Sequence, residues 1–341
     1  MPKLTLVTGG AGFIGSNYVA RLLARGEKVV VFDNLSRNGA TVNLEWLRQR
    51  FGNDSFQLIQ GDVRDADCIH AAAEKADAIV HLAAQVAVTT SVSSPREDFE
   101  INALGTFNVL EAARSSGRNP VVLYASTNKV YGGMDELRVV EDDRQYRYAD
   151  LPLGVSEAQP LDFHSPYGCS KGAGDQYCRD YYRIYGLPTV VLRQSCIYGE
   201  RQFGIEDQGW VAWFVIAALT GRQITIYGDG KQVRDILFIE DLLDAYDAAF
   251  DHIETAAGQI YNIGGGPQNV MSIWVDFGPL LEKMLGKSIS VKRGDWRPGD
   301  QRIYISDVRK AQQALGWSPR TSVEVGIQRL FEWAEANQSL F

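Results

Sequence analysis

Cysteine is scarce in this chain. Cys68, Cys169, Cys178 and Cys196 are scattered over 341 positions with no paired C-x-x-C spacing. That excludes a disulfide framework and a structural zinc site, and fits a reducing, cytoplasmic setting. Histidine is equally rare, with four copies and no ligand-like spacing, so no metal is expected. No apolar run reaches the roughly 18–20 residues that cross a bilayer, so no membrane association is expected. The N-terminal residues lead straight into a glycine loop, and no hydrophobic leader is expected ahead of it. Positive charge is in deficit as well: 34 Lys and Arg against 42 Asp and Glu leave −8 at pH 7. Nucleic acid is therefore a poor partner, because displacing counterions from phosphates takes an excess of cations. Repeats, low-complexity tracts and Gly/Ser linkers are also missing, so the domains should pack directly on one another.

What remains is the composition of a globular protein, 45% hydrophobic and 22% charged, long enough for two packed domains. Apolar runs of strand length at 4–8, 29–32, 56–59, 78–82, 121–125 and 189–192 alternate with helical patterns such as 13–24, 99–113 and 168–185. This predicts an α/β fold, a doubly wound parallel sheet of Rossmann type. Beyond residue 193 short strands mix with helices near 209–220, 239–250, 272–285 and 322–335, which predicts a smaller, mixed α/β C-terminal domain. The expected division is 1–192 with 235–263 for the first domain, and 193–234 with 264–341 for the second. Residues 133–163 carry charges and aromatics with no clear period. A loop of that length is expected to be functional and to help close the site.

The first strand runs into Gly9-Gly10-Ala11-Gly12-Phe13-Ile14-Gly15. Glycines at 9, 12 and 15 permit a tight turn, close approach of a pyrophosphate and close helix–strand packing, and the helix N-terminus beyond offers free N–H groups to phosphates. The second strand ends at Asp33, 18 residues beyond Gly15. A carboxylate there accepts from both adenosine ribose hydroxyls and repels a 2′-phosphate, so NAD is the expected cofactor, although Arg37 lies close by. Asp62-Val63 after the third strand and His81-Leu82-Ala83-Ala84 after the fourth complete a dinucleotide site in the required order.

Tyr167 and Lys171 stand at i and i+4, on one face of a helix. A phenol is a poor base at neutral pH, and an adjacent ammonium is expected to lower its pKa. Thr127, at the end of the fifth strand, adds a hydroxyl able to share a proton with Tyr167. Bidentate arginine suits a diphosphate, and the candidates are Arg201, Arg234 and Arg297.

The G-x-x-G-x-x-G loop, His81-Leu82-Ala83-Ala84, Ser126-Thr127 and Y-x-x-x-K together resemble the extended short-chain dehydrogenase/reductase family of nucleotide-sugar epimerases, dehydratases and decarboxylases, over almost the whole chain. Longer strings at 32–37, 126–132, 161–171 and 207–211 resemble the family's epimerases that invert C2 of CDP-linked 3,6-dideoxyhexoses and keep NAD bound. The resemblance implies Thr127, Tyr167 and Lys171 as catalytic residues. For NAD it implies Gly9, Gly12, Phe13, Ile14, Gly15, Asp33, Asn34, Ser36, Arg37, Asp62, Val63, Leu82, Ala83 and Ala84 with Tyr167 and Lys171. For the nucleotide-sugar it implies Gln85, Thr127, Asn128, Arg201, Gln208, Gln232, Arg234, Arg297 and Asp300. The family's dehydratases have Asp-Glu after the threonine, where this chain has Asn128-Lys129. The long interval between Thr127 and Tyr167 departs from C4-epimerases, and Cys196 replaces an asparagine common among relatives. A UDP-hexose 4-epimerase, a net dehydrogenase and a non-catalytic NAD sensor stay open as alternatives. The helices near 99–115 and 168–185 carry apolar residues on more than one face, and since the family pairs such helices into a dimer seam, the resemblance implies a homodimer or homotetramer.

Overall fold

The computed structural model describes residues 4–297 and 300–341. A seven-stranded, all-parallel sheet forms its centre. Numbered along the chain, its strands are β1 (Leu4–Thr8), β2 (Lys28–Asp33), β3 (Gln57–Gln60), β4 (Ala78–His81), β5 (Val121–Thr127), β6 (Thr189–Gln194) and β7 (Ile260–Ile263). Their spatial order is β7-β6-β5-β4-β1-β2-β3. The inner strands are Val- and Ile-rich because helices cover both faces: Val7, Val31, Val80, Leu123 and Val190 face one core, while Leu6, Val30, Ile79, Val122 and Val191 face the other. The order reverses between β1 and β4, which opens a crevice at the carboxyl ends of the strands. The six expected strands are all present; β7 joins as the seventh.

The smaller domain is built on strand Val233–Phe238, which pairs in parallel with Cys196–Tyr198 and Ile303–Tyr304 and antiparallel with Val270–Ser272. That strand stays in the small sheet past the boundary expected at 234. The chain then returns through helix Ile239–Asp251, which packs on helix Phe13–Ala24: the Tyr18 and Tyr246 ring centroids are 5.3 Å apart, and Arg21 bonds Asp244 and Asp247. Helix Trp210–Thr220 is apolar all round because core surrounds it.

Residues 133–163 include a hairpin, Val139–Glu141 with Tyr146–Tyr148. The buried Tyr146 packs with Val233 and Ile303, the Tyr148 hydroxyl donates to the Ile303 carbonyl (3.0 Å), and Val155 bridges to Ser306. None of residues 133–163 lines either large cavity described below. The expectation that this segment closes the site is therefore corrected. Its aromatics are spent on docking the hairpin against the small sheet, so it braces the domains instead.

Candidate active site

The crevice opens into a cavity of about 470 Å³ lined by every residue expected for the cofactor: Gly9, Gly12, Phe13, Ile14, Gly15, Asp33, Asn34, Ser36, Arg37, Asp62, Val63, Leu82, Ala83, Ala84, Tyr167 and Lys171. Close packing explains two of the glycines. Gly9 has φ +67°, and a Cβ there would stand 2.8 Å from the Ala83 nitrogen; at Gly15 it would collide with the Gly9 carbonyl. A Cβ at Gly12 would meet only the Gly9 carbonyl (3.2 Å), the rest of its surroundings being open. Such a cradle of bare backbone fits a pyrophosphate at the N-terminus of helix Phe13–Ala24.

Asp33 ends β2 almost fully buried, and its two oxygens accept from the Ala11 and Leu35 backbone N–H groups (2.9 and 2.8 Å). Burial raises its pKa and those two bonds oppose the rise. Each oxygen keeps a lone pair for a ribose hydroxyl. Asp62 accepts from Arg64 and Asn34, and chiefly the Arg64 side chain holds it down at about 2.

The floor at residues 82–83 is set by His81. The Thr8 hydroxyl accepts from the Leu82 and Ala83 N–H groups (3.2 and 3.3 Å) and lies 2.7 Å from His81 Nδ1, while His81 Nε2 lies 3.1 Å from the Thr106 hydroxyl. Total burial, with the Lys171 charge, drops the histidine to about 3, so it is neutral. The Thr106 hydroxyl gives its proton to the Asn102 carbonyl (2.5 Å), so the neutral imidazole donates to it at Nε2 and accepts from Thr8 at Nδ1.

A second cavity, of about 410 Å³, shares Phe13, Ile14, Ser126, Tyr167, Gln194, Gln202 and Gln208 with the first and extends toward the small sheet. Thr127, Asn128, Gln208, Gln232, Arg234, Arg297 and Asp300 of the expected nucleotide-sugar set line it. Gln85 and Arg201 do not. Gln85 lines the first cavity, its amide committed to Asp98 and the Ala87 carbonyl; Arg201 lines that cavity too, stacked 3.7 Å over the Trp46 ring. Arg234 is 6% exposed, holds Asp300 at 2.7 Å and donates to the Gln301 carbonyl. Arg297 stacks 3.9 Å over Tyr227 and pairs with Asp207 at 3.1 Å.

Sequence reasoning missed Gln194, Gln202 and Lys129. Among the described residues the Oε1 atoms of Gln202 and Gln232 are buried without a partner, while their amide nitrogens are pinned by the Ile197 and Tyr227 carbonyls. Both residues line this cavity, but these two oxygens are themselves shielded from it. Gln232 was among the expected residues; for Gln202 only its place next to Arg201 could have served as a signal.

Tyr167 lies where the cavities meet. Its helix, Ser165–Tyr185, begins with Ser165 at φ +68°, whose hydroxyl accepts from the Gly168 N–H (3.2 Å). Burial pushes the Tyr167 phenol up to about 12; the Thr127 hydrogen bond pulls it down, and the Asp98 charge adds to the rise. The lowering expected from the adjacent Lys171 ammonium is not what governs this phenol in the ligand-free protein, where burial dominates. Lys171, 4% exposed, holds its ammonium 4.3 Å from the Tyr124 ring centroid, and burial lowers it to about 8. Fixed below both is a polar cluster in which the Ser170 hydroxyl donates to Asp98 (2.5 Å), and Gln85 and Asn102 donate to the same carboxylate. Asn102 sits on a π turn, Glu100–Leu104, inside what the sequence reads as one helix. That turn aims its side chain at Gln85, Asp98 and Ser170. No group of acidic, histidine or cysteine residues able to hold a metal occurs among the described residues.

Known proteins resemble the chain along nearly its full length. A family model described as GDP-mannose 4,6 dehydratase matches residues 6–330. The CDP-paratose 2-epimerase of Salmonella typhi is 44% identical over 338 residues, covering 97% of this chain and 99% of that one. Among solved structures, UDP-glucose 4-epimerase from Thermotoga maritima with UDP-glucose superposes with a TM-score of 0.83 at 31% identity, covering 98% of this chain and 99% of that one. A double mutant of the dTDP-glucose 4,6-dehydratase from Streptomyces venezuelae, with NAD bound, gives 0.84 at 31% identity, covering 99% and 98%.

Proposed function

As the chain belongs to the GDP-mannose 4,6 dehydratase family, within the extended short-chain dehydrogenases, we propose that it is an NAD-dependent epimerase that inverts C2 of a CDP-linked 3,6-dideoxyhexose, taking CDP-paratose to CDP-tyvelose. The observation that carries this reading is the chemistry at the cavity junction. Thr127, Tyr167 and Lys171 are together there, and the two positions after Thr127 hold an amide and an ammonium where dehydratases hold carboxylates.

The first cavity's glycine cradle and Asp33 would hold NAD, with Lys171 and Tyr167 beside its nicotinamide end. When bound, NAD supplies a reversible hydride acceptor and a positive ring. Tyr167 takes the proton of the sugar hydroxyl and gives it back after inversion, and the Thr127 hydroxyl holds that oxygen in line. A phenol near 12 is too weak a base alone; positive charge brought to this buried place is what lowers it. Arg234 and Arg297 would clasp the diphosphate.

The test is a panel of CDP-, UDP-, GDP- and dTDP-hexoses read by NMR of the products, in which a CDP-linked C2 epimer is the expected product. A UDP-hexose C4 epimer instead would establish the second reading, which the likeness to UDP-glucose 4-epimerases favours. Phe107, Tyr177, Ile184 and Tyr185 stand exposed on the helices Gly105–Ser115 and Ser165–Tyr185, and burying them in a symmetric dimer or a dimer of dimers is part of this proposal. The four free cysteines suit a cytoplasmic enzyme.

A further inference from the structure

We propose that Lys129 contacts the substrate: its ammonium donates to an oxygen of the sugar and, as a cation where a base would stand, protects the transient ketone from losing a proton at the neighbouring carbon. This rests on the epimerase reading and assigns a residue that the family motifs leave without a role here.

The turn after β5 sets the side chain. The Lys129 N–H donates to the Thr127 hydroxyl (3.3 Å) on the short 3₁₀ segment Asn128–Tyr131, and the side chain then lines the second cavity with Thr127, Asn128 and Tyr167. Its ammonium is held at one point, 3.2 Å from Gln301 Oε1. Gln301 is 6% exposed, and its amide nitrogen is bonded at 2.5 Å to the Gly132 carbonyl, so among the described residues its oxygen is presented to the lysine alone. An ammonium has three donors. Among the described residues Gln301 is its one hydrogen-bond partner, which leaves donors for a ligand in the cavity. Burial, joined by the Arg234 charge and opposed by Asp300, brings Lys129 down to about 8. It is still mostly protonated at pH 7.

The substrate makes this charge matter. Oxidation at C2 of a 3,6-dideoxyhexose gives a ketone beside the C3 methylene, with a hydroxyl on C4. A base near C3 would take one methylene proton, and the resulting enolate would expel the C4 oxygen, which leaves with a proton as water. The product is a conjugated enone that cannot be returned to either epimer. A carboxylate after Thr127 would open that route. A protonated lysine has no lone pair to accept the proton, and its hydrogen bond holds the sugar while the other face of the ketone is presented.

Two variants test this on the intact enzyme in heavy water. Lys129→Glu should exchange the carbon-bound hydrogen next to the ketone at least ~10-fold faster than wild type and build up an ultraviolet-absorbing enone. Lys129→Met should leave exchange slow but bind the nucleotide-sugar roughly 10- to 100-fold more weakly by calorimetry, the worth of a hydrogen bond from a charged donor. Co-purified NAD and melting temperature report that each variant is folded. Unchanged exchange in Lys129→Glu, or unchanged affinity in Lys129→Met, overturns the proposal. The wild-type product panel judges the epimerase reading separately, because both variants are scored on whichever nucleotide-sugar wild type converts, with exchange read at C3 and C5 if the carbon inverted is C4.

Discussion

Tyr167 and Lys171 are one helical turn apart, yet each is expensive for the apoprotein to hold as an ion. A phenol near 12 and an ammonium near 8 both express the same cause, removal of charge from water. Tyr167→Phe keeps the ring and loses the proton carrier, so turnover should fall roughly 10²–10⁴-fold while the protein still retains NAD. Near-normal turnover would remove Tyr167 from the chemistry. Lys171 gives a signed pH prediction. Its folded pKa, about 8, lies below the ordinary value of 10.5, so between those values the unfolded chain binds the extra proton, and the burial cost weighs fully below pH 8 and relaxes as pH rises toward 10.5. Lys171→Met should therefore be inactive but raise the melting temperature of the ligand-free protein by a few degrees at pH 7, with the gain shrinking toward pH 10.5. A variant that melts lower at pH 7 would mean that the ring contact with Tyr124 outweighs the burial cost.

Elements differ in how much of them the sequence reveals. The sheet was legible because its strands are buried on both faces and read as short Val/Ile runs, and helix 13–24 because glycines and an apolar stripe bound it. β7 escaped because Ile260–Ile263 is short and mixes Tyr and Asn into its run. The π turn at Glu100–Leu104 escaped because no residue type announces it; it depends on Asn102 finding Gln85, Asp98 and Ser170 from three separate parts of the chain. The glycine loop and the Tyr167–Lys171 pair were readable since their spacing is local, and Thr127 because it ends a readable strand. Lys129 was not, because its setting comes from Gln301, far off in sequence. Long-range anchoring also fixes the Tyr167 helix: Asp175, fully buried, takes both Arg193 nitrogens at 2.9 Å and the Ser126 hydroxyl at 2.7 Å, while Arg193 reaches the Tyr131 hydroxyl. Removing one partner strands a buried charge, so Arg193→Met should cost about 3–5 kcal/mol in denaturant unfolding. Adding Asp175→Leu should recover much of that. A loss under 1 kcal/mol in the single variant would show that solvent reaches Asp175.

At the scale of the whole molecule, the feature that decides the outcome is that the two cavities are continuous through Tyr167, Gln194 and Gln202 and lie between the domains. A ketone formed at that junction can turn over without leaving, since Arg234 and Arg297 would keep the diphosphate clasped while the sugar rotates. The hydrogen taken from carbon is then the one returned. Neither of the two residues that follow Thr127 offers a carboxylate to exchange it with solvent. Turnover in heavy water should give an epimer with essentially no deuterium at the inverted carbon. A substrate deuterated there should keep its label, and should react more slowly if hydride transfer limits the rate. Slow exchange at the adjacent methylene would come from enolisation and leaves this prediction standing. Stoichiometric solvent deuterium at the inverted carbon would refute it, because that hydrogen would have arrived as a proton, and inversion would then proceed by deprotonation at carbon instead of by a returned hydride.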